Sequence, residues 1–180
     1  MNIRCRCTCI LFAAVFLAGC SPSIPNKVTP DEYALYSDWA RQHFAAKPPE
    51  HLFFSSRTFV FDPLAPGGCG DRLHADNAVP WSLIKQLHAA GEAEYPLDFY
   101  PPSRLRIPWS YKEVDTLPSD PPGTYHLIGF SRVAFNRDHT QALFGISDSC
   151  GGLCGDGGAR FARRENGMWT FHTVNCTWVY

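Results

Sequence analysis

The sequence predicts an α+β domain in which N-terminal helices pack on a mainly antiparallel β-sheet that ends in a C-terminal meander. Three observations carry this expectation. Two segments before residue 91 repeat apolar side chains at helical three-and-four spacing, while the last third of the chain reads as consecutive strands, with Trp169, Phe171 and Thr173 alternating with Thr170, His172 and Val174. The turns in that last third are too short for anything but antiparallel neighbours. Fifteen prolines and 14 glycines among 180 residues point to many turns and extended crossings rather than a helical bundle.

The first helix opens at Thr29-Pro30-Asp31-Glu32. Thr29 can cap, Pro30 suits the first helical position, and Glu32 completes a capping box. Tyr33, Tyr36, Trp39, Ala40, His43 and Phe44 then form one apolar face, and Lys47-Pro48-Pro49 stops the helix. His43 is expected as a half-buried member of that face. Residues 52–62 read as a strand region because Phe54, Thr58, Val60 and Phe61 favour extended backbone. Residues 63–77 read as a loop, and a second short helix runs over about 79–90 until Gly91.

Residues 94–123 hold seven prolines and are expected to wrap the surface, with edge strands near 104–107 and 110–114. Consecutive strands follow at 126–135, 141–147, 159–164 and 168–178. Asn136–Thr140 forms a polar turn, and Asn166-Gly167 makes a tight hairpin turn because both residues tolerate positive φ.

The N-terminus carries an export signature. Arg4 and Arg6 precede an apolar run at residues 10–17 that is too short to span a bilayer, and the run ends in Leu17-Ala18-Gly19-Cys20. This tetrapeptide resembles the lipobox of bacterial lipoproteins residue for residue. The resemblance implies removal of residues 1–19, attachment of diacylglycerol to the Cys20 thiol, and acylation (palmitate) of the new N-terminus. Residues 20–28 would be a lipidated tether and residues 29–180 a single globular domain. Ser21, rather than Asp, follows the lipidated position. By analogy with enteric lipoproteins it favours the outer membrane facing the periplasm over the inner membrane. The partners implied are the membrane, through this anchor, and an envelope protein.

Processing at Cys20 would leave 14 basic and 17 acidic residues, a net charge of −3, with no basic stripe to meet nucleic acid. It would also remove Cys5, Cys7 and Cys9, so that Cys69, Cys150, Cys154 and Cys176 remain besides Cys20. An even number in an exported chain points to disulfides, and four cysteines allow three connectivities. The expected pairs are Cys150 with Cys154, whose Gly-Gly-Leu spacer turns tightly, and Cys69 with Cys176.

Residues 147–158, Ser-Asp-Ser-Cys-Gly-Gly-Leu-Cys-Gly-Asp-Gly-Gly, are the one chemically unusual stretch. A redox dithiol would need a CxxC at a helix N-terminus, but the spacing here is CxxxC in a glycine loop between strands. Gly155-Asp156-Gly157-Gly158 places Gly157 where a trypsin-like nucleophile loop needs serine, and Ser147-Asp148-Ser149 is no G-x-S-x-G elbow. Asp148 and Asp156 are too widely spaced for an EF-hand calcium loop. His51, His74, His88, His126, His139 and His172 show no paired metal spacing and read as surface or satisfied histidines.

One further resemblance covers residues 126–172. Phe130-Ser131-Arg132-Val133-Ala134-Phe135-Asn136, Gln141-Ala142-Leu143, the Cys150-Gly151-Gly152-Leu153-Cys154-Gly155 loop and Gly167-Met168-Trp169 look like an ordered pattern in uncharacterised bacterial exported proteins with a C-G-x-x-C-G loop. It implies fold context and origin but no activity.

The sequence therefore assigns no catalytic, cofactor-binding or metal-ligating residue and no cofactor. It points to a lipid-anchored periplasmic module acting by interaction, as an envelope accessory, rather than by catalysis. Two alternatives compete: a thiol-redox or other enzyme centred on Cys150 and Cys154, and a small-ligand binder using the 147–158 loop with Arg132 or Arg160.

Overall fold

In the computed structural model, residues 27–98, 106–116, 119, 121, 123–151 and 154–179 are described. They form α1 (Pro30–His43), β1 (His51–Ser55), α2 (Gly70–Asn77), α3 (Trp81–Ala90), β2 (Lys112–Val114), β3 (Tyr125–Phe135), β4 (Gln141–Gly151), β5 (Cys154–Glu165) and β6 (Met168–Val179). The six strands make one sheet in the order β2-β1-β3-β4-β5-β6.

The fold class is α+β, but the sheet is mixed rather than mainly antiparallel. β3 to β6 form the expected meander, whereas β1 pairs in parallel with both β2 and β3. Short turns dictate the orientation of the last four strands. β1 is joined to its neighbours by long connections that permit either direction, and α2 and α3 supply the crossover that parallel pairing needs. The helices are not grouped ahead of the sheet either, because β1 falls between α1 and α2.

The helices also cover two faces instead of one. On β4, Ala142, Phe144 and Ile146 pack with α1's Tyr33, Tyr36, Trp39 and Ala40. The alternate residue Leu143 joins Phe161 and the α2–α3 side chains Leu73, Leu83, Ile84 and Leu87 on the other face. This division explains why β3 and β4 read as nearly continuous apolar runs, since both of their faces are buried.

α1 is held by its own start signal. Thr29 Oγ1 accepts from the Glu32 N–H at 3.3 Å, and Glu32 Oε2 accepts from the Thr29 N–H at 2.8 Å, which completes the capping box. Glu32 then does a second job that the sequence did not announce. Its Oε1 accepts from Arg132 Nε at 2.8 Å and from the Val133 N–H at 3.0 Å, in an ion pair whose side chains are both 2% exposed. Arg132 lies beside the register shift between Phe130 and Val133, with its guanidinium over the Tyr95 ring and an Nη2 bond to the Lys27 carbonyl. The chain at residues 27–28 is thereby tied to the domain, and Val28 is buried in the core. Tyr36 completes the docking, stacking on Phe130 at 4.2 Å and donating to the Ser131 carbonyl at 2.7 Å. Burial pushes its phenol well above the ordinary tyrosine range.

Three element assignments change. The strand expected over 52–62 stops at Ser55, and Thr58 N–H instead bonds the Tyr95 carbonyl. Residues 70–77 are helical rather than loop. Local composition (Gly, two Asp, Asn) disfavours that helix, yet Leu73 is fully buried and the Cys69–Cys176 disulfide fixes its N-terminal end to β6. Of the two strands expected within 94–123, only Lys112–Val114 is present among the described residues; Arg106 and Ile107 are not in a strand, and residues 104 and 105 lie outside the described set.

Candidate functional site

Residues 147–151 and 154–158 are not loop but the ends of two paired strands. β4 continues to Gly151 and β5 begins at Cys154, with Ser147↔Gly157, Asp148↔Asp156 and Ser149↔Gly155 as partners. Their backbone groups are therefore spent on the ladder rather than displayed as an anion nest. Gly152 and Leu153, between the cysteines, lie outside the described residues. The Cys150–Cys154 disulfide closes the hairpin end with a Cα separation of 5.2 Å, and Cys154 is exposed.

One glycine here is required by contact. A Cβ built on Gly157 would stand 2.3–2.5 Å from three atoms of the Trp178 indole, which lies across the strand. Gly157→Ala is expected to displace that ring and cost about 1–3 kcal/mol in urea unfolding. An unchanged midpoint would show that Trp178 moves aside freely.

Alternation puts Asp148 on the same face as Ile146 and Phe144, just beyond the part of that face covered by α1. There it meets two imidazoles. His126, at the start of β3, donates through Nδ1 to both carboxylate oxygens, at 2.9 and 3.0 Å. His43, the last residue of α1, holds Nε2 3.8 Å from Oδ2, which is ion-pair range but beyond a hydrogen bond. Asp148 is largely buried, with its side chain 13% exposed, whereas each imidazole is 41% exposed. The His43 ring stacks on Trp39 at 4.6 Å. Phe44 stands edge-on to His43, His126 and Trp109.

The electrostatics follow from these contacts. Burial alone would raise the Asp148 pKa, but the hydrogen bond from His126 and the interactions with His43 outweigh it and lower it. The Asp148 hydrogen bond is the main influence raising His126, opposed by partial burial and by Lys47. Asp156 stands directly across β5 from Asp148, an arrangement of like charges that costs stability by itself. The imidazoles stand beside Asp148 and Arg160 beside Asp156, so each carboxylate has a cationic neighbour of its own.

The cluster can hold and exchange protons. Ser147 and Ser149 project to the opposite face by alternation, so neither stands in line with His126 as a nucleophile. Among the described residues, no group of three or more His, Cys, Asp or Glu is arranged to hold a metal ion. His74, His88 and His139 have separate partners, namely the Val79 carbonyl, Asp62 and Asp31. Sequence spacing gives no sign of the His43–Asp148–His126 grouping. It depends on the β3–β4 register and on where α1 ends.

The other candidate residues are placed as follows. Cys69 and Cys176 are joined, with a Cα separation of 5.5 Å across 107 residues of chain, and both are buried. Arg132, named as a ligand contact, is instead committed to Glu32 in the core. Arg160 is half-buried beside its own strand, donating to the Ala159 carbonyl; burial lowers its pKa and Asp156 opposes that. A cavity of about 550 Å³ lies along the outer side of α1 between Lys27, Tyr33, Arg41 and Arg106, with no lining residue from 147–158. Cys20 and the rest of the lipobox lie outside the described residues.

Together the helices and sheet define an α/β/α-layered member of the α+β class, with a histidine–aspartate cluster at one end of the sheet. No protein-family model matches the chain, and no curated protein or solved structure is significantly similar to it.

Proposed function

We propose that this protein is a lipid-anchored module of the bacterial envelope, held at a membrane through Cys20 and acting by binding rather than catalysis. The observation that carries the reading is Leu17-Ala18-Gly19-Cys20 after a short basic and apolar leader. Two features of the fold support it. Val28, the first buried residue among the described ones, is eight positions past Cys20, so an extended tether would let the domain stand up to about 26–29 Å from the lipidated residue. Two disulfides suit an oxidising compartment such as the periplasm.

The non-catalytic part of the proposal rests on how the reactive groups are used. Arg132 neutralises a buried carboxylate, the four cysteines of the domain are paired, and Asp148 is occupied by His126. Among the described residues no helix is long and apolar enough to cross a membrane, so attachment is assigned to the lipid. Several acyl chains on one residue give firm anchoring, since each buried CH₂ contributes about 0.8 kcal/mol.

Cys20→Ser tests this directly. The variant is expected to leave the membrane fraction on cell fractionation and to lose metabolic labelling by palmitate. Continued membrane association without label would contradict the lipid anchor.

A further inference from the structure

Asp148 links three parts of the chain at this end of the sheet: the end of α1, the start of β3 and the hairpin end of β4. The β3–β4 ladder opens at Leu127↔Ser149, so His126 lies just past its last paired rung and is reached diagonally by Asp148. His43 is the last residue of α1, and Asp148 precedes the disulfide-closed hairpin end by two positions. Phe44, only 4% exposed, is wedged between the two imidazoles and Trp109.

We propose that Asp148, His43 and His126 form a proton-linked clasp, holding the end of α1 and the start of β3 against the hairpin end when His126 is protonated and slackening as it loses its proton.

The charged surroundings define the direction. From β4 comes Asp148, from α1 His43, from the segment after α1 Lys47, and from β5 Asp156; the β1 neighbour of His126 is the apolar Leu52. Asp156 in turn faces Arg160 on its own strand, so the cations that act on Asp148 are the two imidazoles, with Lys47 acting on His126. A protonated His126 balances the largely buried Asp148, whereas a neutral one leaves that carboxylate without its hydrogen-bonded cation. His126 is raised from 6.5, so its contribution is fully present below that value and is lost as pH rises through the higher value it takes in the fold. Asp148 is lowered from 3.8, so the same contact is also lost when pH falls below the reduced carboxylate value. The clasp is tightest between these limits, in mildly acidic solution.

Amide hydrogen exchange on the purified protein, corrected for intrinsic exchange at each pH, reads the opening directly. The Phe44 amide, bonded to the Ala40 carbonyl, is the reporter. Its opening constant is expected to rise about two- to fivefold between pH 5.5 and 8, the scale of a partly exposed ion pair. In Asp148→Asn it should be high and flat across that range, and in His126→Gln flat as well. His139→Gln, at the other end of the sheet beside Asp31, should keep the wild-type slope. A flat wild-type profile would overturn the proposal. So would an unchanged slope in Asp148→Asn, or in His126→Gln should the Asp148 variant fail to fold.

Discussion

Glu32→Ala is expected to cost about 3–5 kcal/mol in chemical denaturation, which approaches the whole stability of many domains of this size. Glu32 is 1% exposed, and its carboxylate serves four donors: Thr29 N–H, Arg132 Nε, Arg132 Nη2 and Val133 N–H. Removing it leaves the Arg132 guanidinium buried against Tyr95 without its counter-charge. The helix cap alone does not account for such a loss, since deleting a cap hydroxyl costs about 1 kcal/mol. Thr29→Ala therefore calibrates the cap, and the excess measures the ion pair. Replacing both members by apolar residues, Glu32→Leu with Arg132→Met, is expected to recover much of the loss, because no unpaired charge remains. A loss near 1 kcal/mol for Glu32→Ala would show that Arg132 finds water or another partner.

The second large effect is expected from Cys69→Ala with Cys176→Ala. The bridge closes 107 residues of separation, and loop-closure entropy for about 100 residues corresponds to about 4.7 kcal/mol. Both sulfurs belong to buried residues that pack with Leu73 and Val174, so the substitution also thins the core under α2. α2 should suffer first, because its sequence is poor in helix formers and it is only eight residues long. Circular dichroism is expected to show a partial helix loss before global unfolding. Opening Cys150–Cys154 instead is expected to cost about 2 kcal/mol, as its ring is small. Equal losses for the two pairs would contradict this division.

What could be read from the residues alone depended on how local the determining interaction is. The capping box at Thr29 and Glu32, the α1 face and the Asn166-Gly167 turn are local, and each is found: the turn residues take φ of 51° and 82°. The meander was legible for the same reason, although β4 and β5 run farther than expected, because five glycines between residues 147 and 158 look like loop composition. Those glycines are better explained by crowding: Gly157 makes room for Trp178, and Gly158 for the Cys176 carbonyl.

The misses are all long-range. The parallel pairing of β1, the second helical layer and the helix at 70–77 are decided by tertiary burial and by a disulfide across 107 residues. Within the candidate site, Asp148 stands out in sequence only as one of two aspartates in a glycine stretch, because its partners lie 22 and 105 positions upstream. Nothing near Arg132 in sequence shows that Glu32, a hundred residues earlier, folds against it, so the residues alone suggest a ligand contact there.

The central claim is attachment through Cys20, and intact mass spectrometry of the native protein from its own membranes tests it most directly. The account predicts the mass of residues 20–180 plus glyceryl and acyl groups on Cys20, increasing by four hydrogens on reduction of the two disulfides. A chain that retains residues 1–19, or begins at Cys20 with no added lipid, would contradict it.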